Sequence, residues 1–216
     1  MFEEEWLACS NVKRMLNHIP RHVSKRKWRL LAPAFCRRIW HLLTDQRSKQ
    51  AVEMAEKWAD GLISLKDLKL VQEAAQPYRL SLARIILQEA PGAAYAAAIP
   101  RKDAVYSTAW CAREAVQVAV GSAEDEERRQ CDLIRDVLGY PYRRVTIGQA
   151  FCDWNEGTIV KLAQGIYGER AFDRLPILAD ALEEAGCTNA DILNHCRQPG
   201  EHVRGCWVID LLLGKE

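Results

Sequence analysis

A chain of 216 residues with 49% apolar and 27% charged residues can bury a sizeable core, and it is too apolar to be disordered over most of its length. It contains no run of 18 apolar residues, which argues against a membrane-spanning helix, and its net charge of +1 excludes a uniformly basic or acidic protein. The acidic start, Met1-Phe2-Glu3-Glu4-Glu5, is the opposite of a signal peptide, so a cytoplasmic protein with reduced cysteines is expected.

In chain order, Glu3 to Cys9 reads as a short helix with Trp6 and Leu7 inward, and Ser10 or Asn11 can cap a second one through His18. Ser24 opens a long helix, Lys25 to Leu43, with Trp28, Leu31, Phe35, Ile39 and Leu42 on one stripe. Pro33 lies inside it, where a missing N–H and a clash four residues back predict a kink or two shorter helices. Asp45 caps a helix to about Asp60 and Gly61 stops it. Ser64 starts another, with Leu65, Leu68, Val71 and Ala75 on its face and Pro77 at its end. Tyr78 to Ala90 repeats the pattern with Leu82, Ile85, Ile86 and Glu89.

Pro91 to Pro100 is rich in alanine and reads as a short helix or a loop. Arg101 to Val120 is helical but carries mostly alanine, which buries little area, so this region is the least strongly specified. After Gly121-Ser122 comes a helix over Glu124 to Leu138, holding Cys131, Ile134 and Leu138. An irregular aromatic linker spans 139–154, suited to lie across a helical surface. Further helices follow: one ending near Tyr167, one with Pro176 in its first turn and Gly186 as its stop, one over Ala190 to Cys196, and a last one over Val203 to Leu213.

The expected fold is all-α, about ten helices, as an array or bundle divided into 1–121 and 122–216. Helix pairs spaced about 33 to 36 residues apart near the C-terminus suggest a repeat-like stack.

Three sets of residues carry chemistry. From Trp6 to Thr44 there is no Asp or Glu, but there are nine Lys or Arg residues. Of these, Lys13, Arg14, Arg21, Lys25, Arg26, Arg29 and Arg37 are candidates for contact with an anion or nucleic acid, unless acidic residues elsewhere in the chain neutralise them. Cys187, Cys196, His202 and Cys206, with His195 beside them, could offer thiolates and imidazoles to a zinc ion, although their spacing matches no common zinc motif. Buried thiols, with histidines near helix ends, are the ordinary alternative. Asp210 falls on the apolar stripe of the last helix and needs a partner there, such as Arg204, His202 or an arginine of another helix.

No GxSxG, P-loop or GxGxxG occurs, and no His can be assigned to Cys152, so the sequence points away from an enzyme and names no cofactor beyond that zinc. A non-enzymatic helical interaction module with a protein partner is the leading expectation, and no membrane partner is expected.

The strings EWLACSN and KWRLLAPAFCRRIWHLLTDQRSKQAVEMAEKWADG, with RAFDRLPILADALEEAGCTNADILNHCRQPGEHVRGCWVIDLLLGKE at the end, resemble a large, uncharacterised paralogous family of planctomycete bacteria. Phe35 and Pro33 depart from that family's pattern. The resemblance implies a bacterial protein. It brings no activity, cofactor or catalytic residue with it.

Overall fold

The computed structural model describes the backbone of residues 1–81 and 85–215, and the side chains of these outside 76–89. Among the described residues twelve α-helices make an all-α, multi-helical array, with no strand. The chain divides into two compact units, Met1–Arg135 and Asp136–Glu216, so the division falls later than the expected 121/122.

The first unit begins with α1 (Glu3–Ala8) and α2 (Val12–Asn17). Trp6 is fully buried, whereas Leu7 is exposed. Asn11 caps α2 by accepting from the Arg14 N–H, and Ser24 caps α3 (Lys25–Arg38) by accepting from Lys27. Helix α3 does not divide at Pro33. It runs on to Arg38 and closes in a 3-10 turn at Trp40–Leu42. That turn brings Leu43, not Leu42, fully inside.

Asp45 caps α4 (Gln46–Ala59), and Gly61 beyond it takes the left-handed conformation that glycine tolerates best. Ser64 and Asp67 cap each other's backbone at the start of α5 (Leu65–Ser81), which continues past Pro77. The expected stripe Leu82, Ile85, Ile86 and Glu89 lies outside the described side chains.

The alanine-rich middle is the inner layer of this unit. It forms α6 (Ile85–Ala97), with Pro91 inside it, and α6 packs most extensively on α7 (Ala104–Val120). Ala93, Ala94, Ala98 and Ala112 are completely buried. Alanine contributes little area per residue, but its small side chain lets helix backbones approach closely, so packing specified what area alone left open. Helix α8 (Ala123–Leu138) follows the left-handed Gly121.

The basic segment is neutralised in part within this unit. Arg38 reaches the buried carboxylate of Glu126 at 2.7 Å, Arg37 holds buried Glu56 through two bonds of 2.9 Å, and Arg26 meets Asp60 at 2.9 Å. Arg14 meets Glu5 at 3.1 Å. Gln130 also donates to Glu126, at 3.3 Å.

In the second unit the segment after α8 is irregular. Tyr140, Val145, Ile147, Phe151 and Trp154 pack against the unit's core, as an aromatic arm should. Helix α9 (Gln149–Glu169) is interrupted at Trp154–Gly157, where Asn155, Glu156 and Gly157 all have positive φ. Its second part buries Ile159, Ala163 and Ile166 against Leu175, Leu178 and Leu182 of α10 (Leu175–Glu184). Asn189 caps α11 (Ala190–Arg197).

The last helix, α12, covers only Trp207–Leu213. Pro199-Gly200 and the left-handed Gly205 (φ 95) keep the preceding loop out of helical geometry, so the helix expected from Val203 begins four residues later.

Arg38→Ala should strand the Glu126 charge in the core and destabilise the chain by about 3 kcal/mol, while Arg38→Met with Glu126→Leu should recover most of that loss. Urea unfolding of the three proteins checks this; equal midpoints for the single and double variants would refute it.

Candidate metal centre

Four side chains remote in sequence meet in the second unit: Asp136 at the end of α8, His195 in the last turn of α11, His202 in the loop, and Cys206 at the start of α12. One potential ligand atom from each lies within 4.8 Å of the others. All are sheltered, with side chains 3% exposed at Asp136, 8% at His195 and 6% at His202, and Cys206 fully buried.

Asp136 is the hub. Its Oδ1 lies 2.6 Å from His202 Nδ1 and 3.1 Å from His195 Nε2, and its Oδ2 accepts from the Val203 N–H at 2.9 Å. Burial pushes its carboxyl pKa up, but the hydrogen bonds from His195 and His202 outweigh that and hold it at about 2. The carboxylate is therefore charged at neutral pH.

His195 Nε2 also stands 3.2 Å from Cys206 Sγ, while its Nδ1 meets Gln198 Nε2 at 3.3 Å. The His195 ring packs edge-on to that of His202 at 4.9 Å and lies 5.1 Å from Trp207. Trp207 is held in turn by Tyr140 at 5.8 Å and by the close approach of Gly139, where an added Cβ would stand 2.7 Å from the indole Cγ.

A Cys–His–Asp constellation invites comparison with a thiol nucleophile, but the geometry opposes it. In a catalytic triad the thiol and the carboxylate engage different nitrogens of the histidine. Here both face the same nitrogen, Nε2 of His195, which can carry one hydrogen at most. Burial, reinforced by the Asp136 charge, also raises the Cys206 thiol pKa well above its ordinary value. The N–H groups of Ile209 and Val208 pull the other way without reversing it.

The donor set suits a metal ion. Donors around a tetrahedral zinc with bonds of about 2.0–2.3 Å stand about 3.3–3.8 Å apart, and the His195–Asp136 and His195–Cys206 separations of 3.1 and 3.2 Å come close to that. The 2.6 Å His202–Asp136 hydrogen bond would lengthen or give way to ligation through the other imidazole nitrogen. A thiolate and a carboxylate together balance a divalent cation, which removes the burden of an isolated buried charge. Hydrogen bonding alone leaves His202 Nε2 buried without a partner.

Of the four expected ligands, the structure brings His202 and Cys206 together; they come from a loop and a helix cap rather than from one helical face. Cys187 and Cys196 are buried thiols of the surrounding core, outside the cluster. The Cys196 thiol is pushed up to about 12 by burial and by Asp136. His195 and Asp136 stand in their place. Sequence reasoning missed Asp136, although the signal was present: a carboxylate interrupts the buried run of Leu133, Ile134 and Val137 on α8. Asp210 is buried, 1% exposed, and is not without an interaction partner.

The chain matches no described protein family, no curated protein and no solved structure. No helix among the described residues is long and apolar enough to cross a membrane.

Two outcomes follow from this geometry. In the native protein, iodoacetamide should modify the half-buried Cys111 and Cys152 first and leave Cys206 untouched until unfolding, as read by peptide mass mapping; rapid labelling of Cys206 would contradict the buried site. Gly139→Ala should displace Trp207 and destabilise the protein by about 2 kcal/mol, measured as a lowered thermal midpoint; an unchanged midpoint would show that the indole gives way freely.

Proposed function

We propose that Asp136, His195, His202 and Cys206 hold one divalent transition-metal ion, zinc by the chemistry of its donors, and that the chain is a metal-stabilised, non-enzymatic helical interaction module. The convergence of these four buried donors carries the proposal. A set of one sulfur, two imidazoles and one carboxylate favours zinc over calcium or magnesium, which take oxygen ligands. Four protein ligands close a tetrahedral sphere and leave no position for a substrate, which is the arrangement of a structural ion.

Such an ion would join the end of α8, the end of α11, the 198–206 loop and the start of α12 into one unit. The interaction role draws support from the exposed Leu62 between α4 and α5, Leu65 and Leu70 on α5 and Trp110 on α7.

Elemental analysis of protein purified without chelator should find about one equivalent of zinc, and less than about a tenth would overturn the metal reading, since structural sites hold their ion tightly. His202→Ala and Asp136→Asn should each lose the metal. Cobalt exchange into the wild-type protein should give a thiolate-to-cobalt absorption band that Cys206→Ser lacks. Metal retention should fail in acid, where protons compete with the ion for its donors. For the interaction role, Leu62→Ser with Leu65→Ser should abolish capture of a protein partner that withstands nuclease while the zinc content is unchanged. Capture unaffected by these changes would refute the role assigned to that surface.

A further inference from the structure

The first unit contains a cavity of about 300 Å³ whose chemistry the metal centre does not use. Its wall carries four cationic side chains, Lys25 and Arg29 from α3 and Arg101 and Lys102 from the turn before α7, together with Trp28 and Trp58. The remaining lining residues are apolar, and no carboxylate lines it among the described residues. Arg101 has an exposed companion in Asp103, at 2.5 Å, which offsets one of the four charges.

Two of the cations are placed by the indoles. The Arg29 guanidinium lies 3.7 Å over the Trp58 ring, and Lys102 Nζ is 4.7 Å from the centre of the Trp28 ring. An indole face attracts a cation without neutralising it, so these charges are held in position while remaining able to meet an anion. This contrasts with Arg14, Arg26, Arg37 and Arg38, whose charges are matched by carboxylates of the same unit.

We infer that this cavity is a binding site for a small organic phosphate. Lys25, Arg29 and Lys102 cluster without a carboxylate partner among the described residues and repel one another, and a dianion relieves that repulsion at several of them together. The Arg29 guanidinium fork matches phosphate oxygens, and the lysines add point charges. The apolar remainder of the wall suits an organic body beside the phosphate. The volume lies at the lower end of small-ligand cavities, enough for a molecule about the size of a mononucleotide and too small for a folded polymer. The site lies wholly within the first unit, so it stands or falls independently of the metal centre.

Calorimetric titration of the full chain with adenosine 5′-monophosphate, adenosine and inorganic phosphate tests the inference. The monophosphate should bind at least tenfold more tightly than adenosine, should weaken as salt is raised, and should be displaced by inorganic phosphate. Lys25→Glu with Lys102→Glu changes two exposed side chains and should weaken monophosphate binding at least tenfold while leaving the far-ultraviolet circular dichroism and the zinc content unchanged. No heat with the monophosphate up to about 10 mM would overturn the site. So would equal affinity for adenosine, or binding indifferent to the charge reversals. Binding of single-stranded RNA that excess monophosphate does not compete would assign these cations to a nucleic-acid surface and overturn the small-ligand site.

Discussion

A buried carboxylate is tolerated only where donors or a cation surround it, and Asp136 imposes that condition on the second unit. Its two oxygens engage His202, His195 and the Val203 N–H. The loop between α11 and α12 follows from this demand, because its backbone cannot turn helical and still deliver His202 and Val203 to one carboxylate. Pro199, Gly200 and Gly205 supply the conformational permission for such a loop. The aromatic packing of His195, Trp207 and Tyr140 around the contact closes it to water, and a low-dielectric setting makes each polar contact inside it count for more.

The first unit solves the same problem with arginine. Glu56 and Glu126 are almost fully buried, and each is matched by a guanidinium from the end of α3. The charge asymmetry of the sequence therefore has a structural use: Arg26, Arg37 and Arg38 are internal counter-charges of Asp60, of Glu56 on α4 and of Glu126 on the acidic helix α8. Lys25, Arg29 and Lys102 gather around one cavity, beside an Arg101 that is paired with Asp103. Neutralised arginines thus support packing, while indole-held cations keep their charge available to a ligand.

Much of the local structure was legible before any packing was known. Asn11, Ser24 and Asp45 cap the helices they were expected to cap, and Gly121 and Gly186 take the positive φ of helix stops. These features depend on a side chain and the backbone within a few residues of it, so they survive any tertiary context. Three places were not legible. Pro33 lies within α3 although an isolated helix would resent it, because the proline ring is buried in the unit's interior. The alanine-rich α6 and α7 look weak residue by residue and are the most closely packed pair. The last helix starts at Trp207, because the segment before it is held by Asp136, 66 residues from His202 in sequence.

The sequence by itself determined an all-helical chain, the positions of most helix starts and stops, and which thiols, imidazoles and cations were present to do chemistry. Helix patterning and capping are short-range properties, so composition and spacing suffice for them. Only the tertiary structure decided which of those groups meet. It drew Asp136 and His195 into the cluster with His202 and Cys206 and left Cys187 and Cys196 in the core. It also spent Arg26, Arg37 and Arg38 on buried or partly buried carboxylates while leaving Lys25 and Arg29 at a cavity. A site built from an α8 carboxylate and a loop histidine 66 residues later has no spacing to recognise, because its geometry is a property of helix packing and not of any local segment.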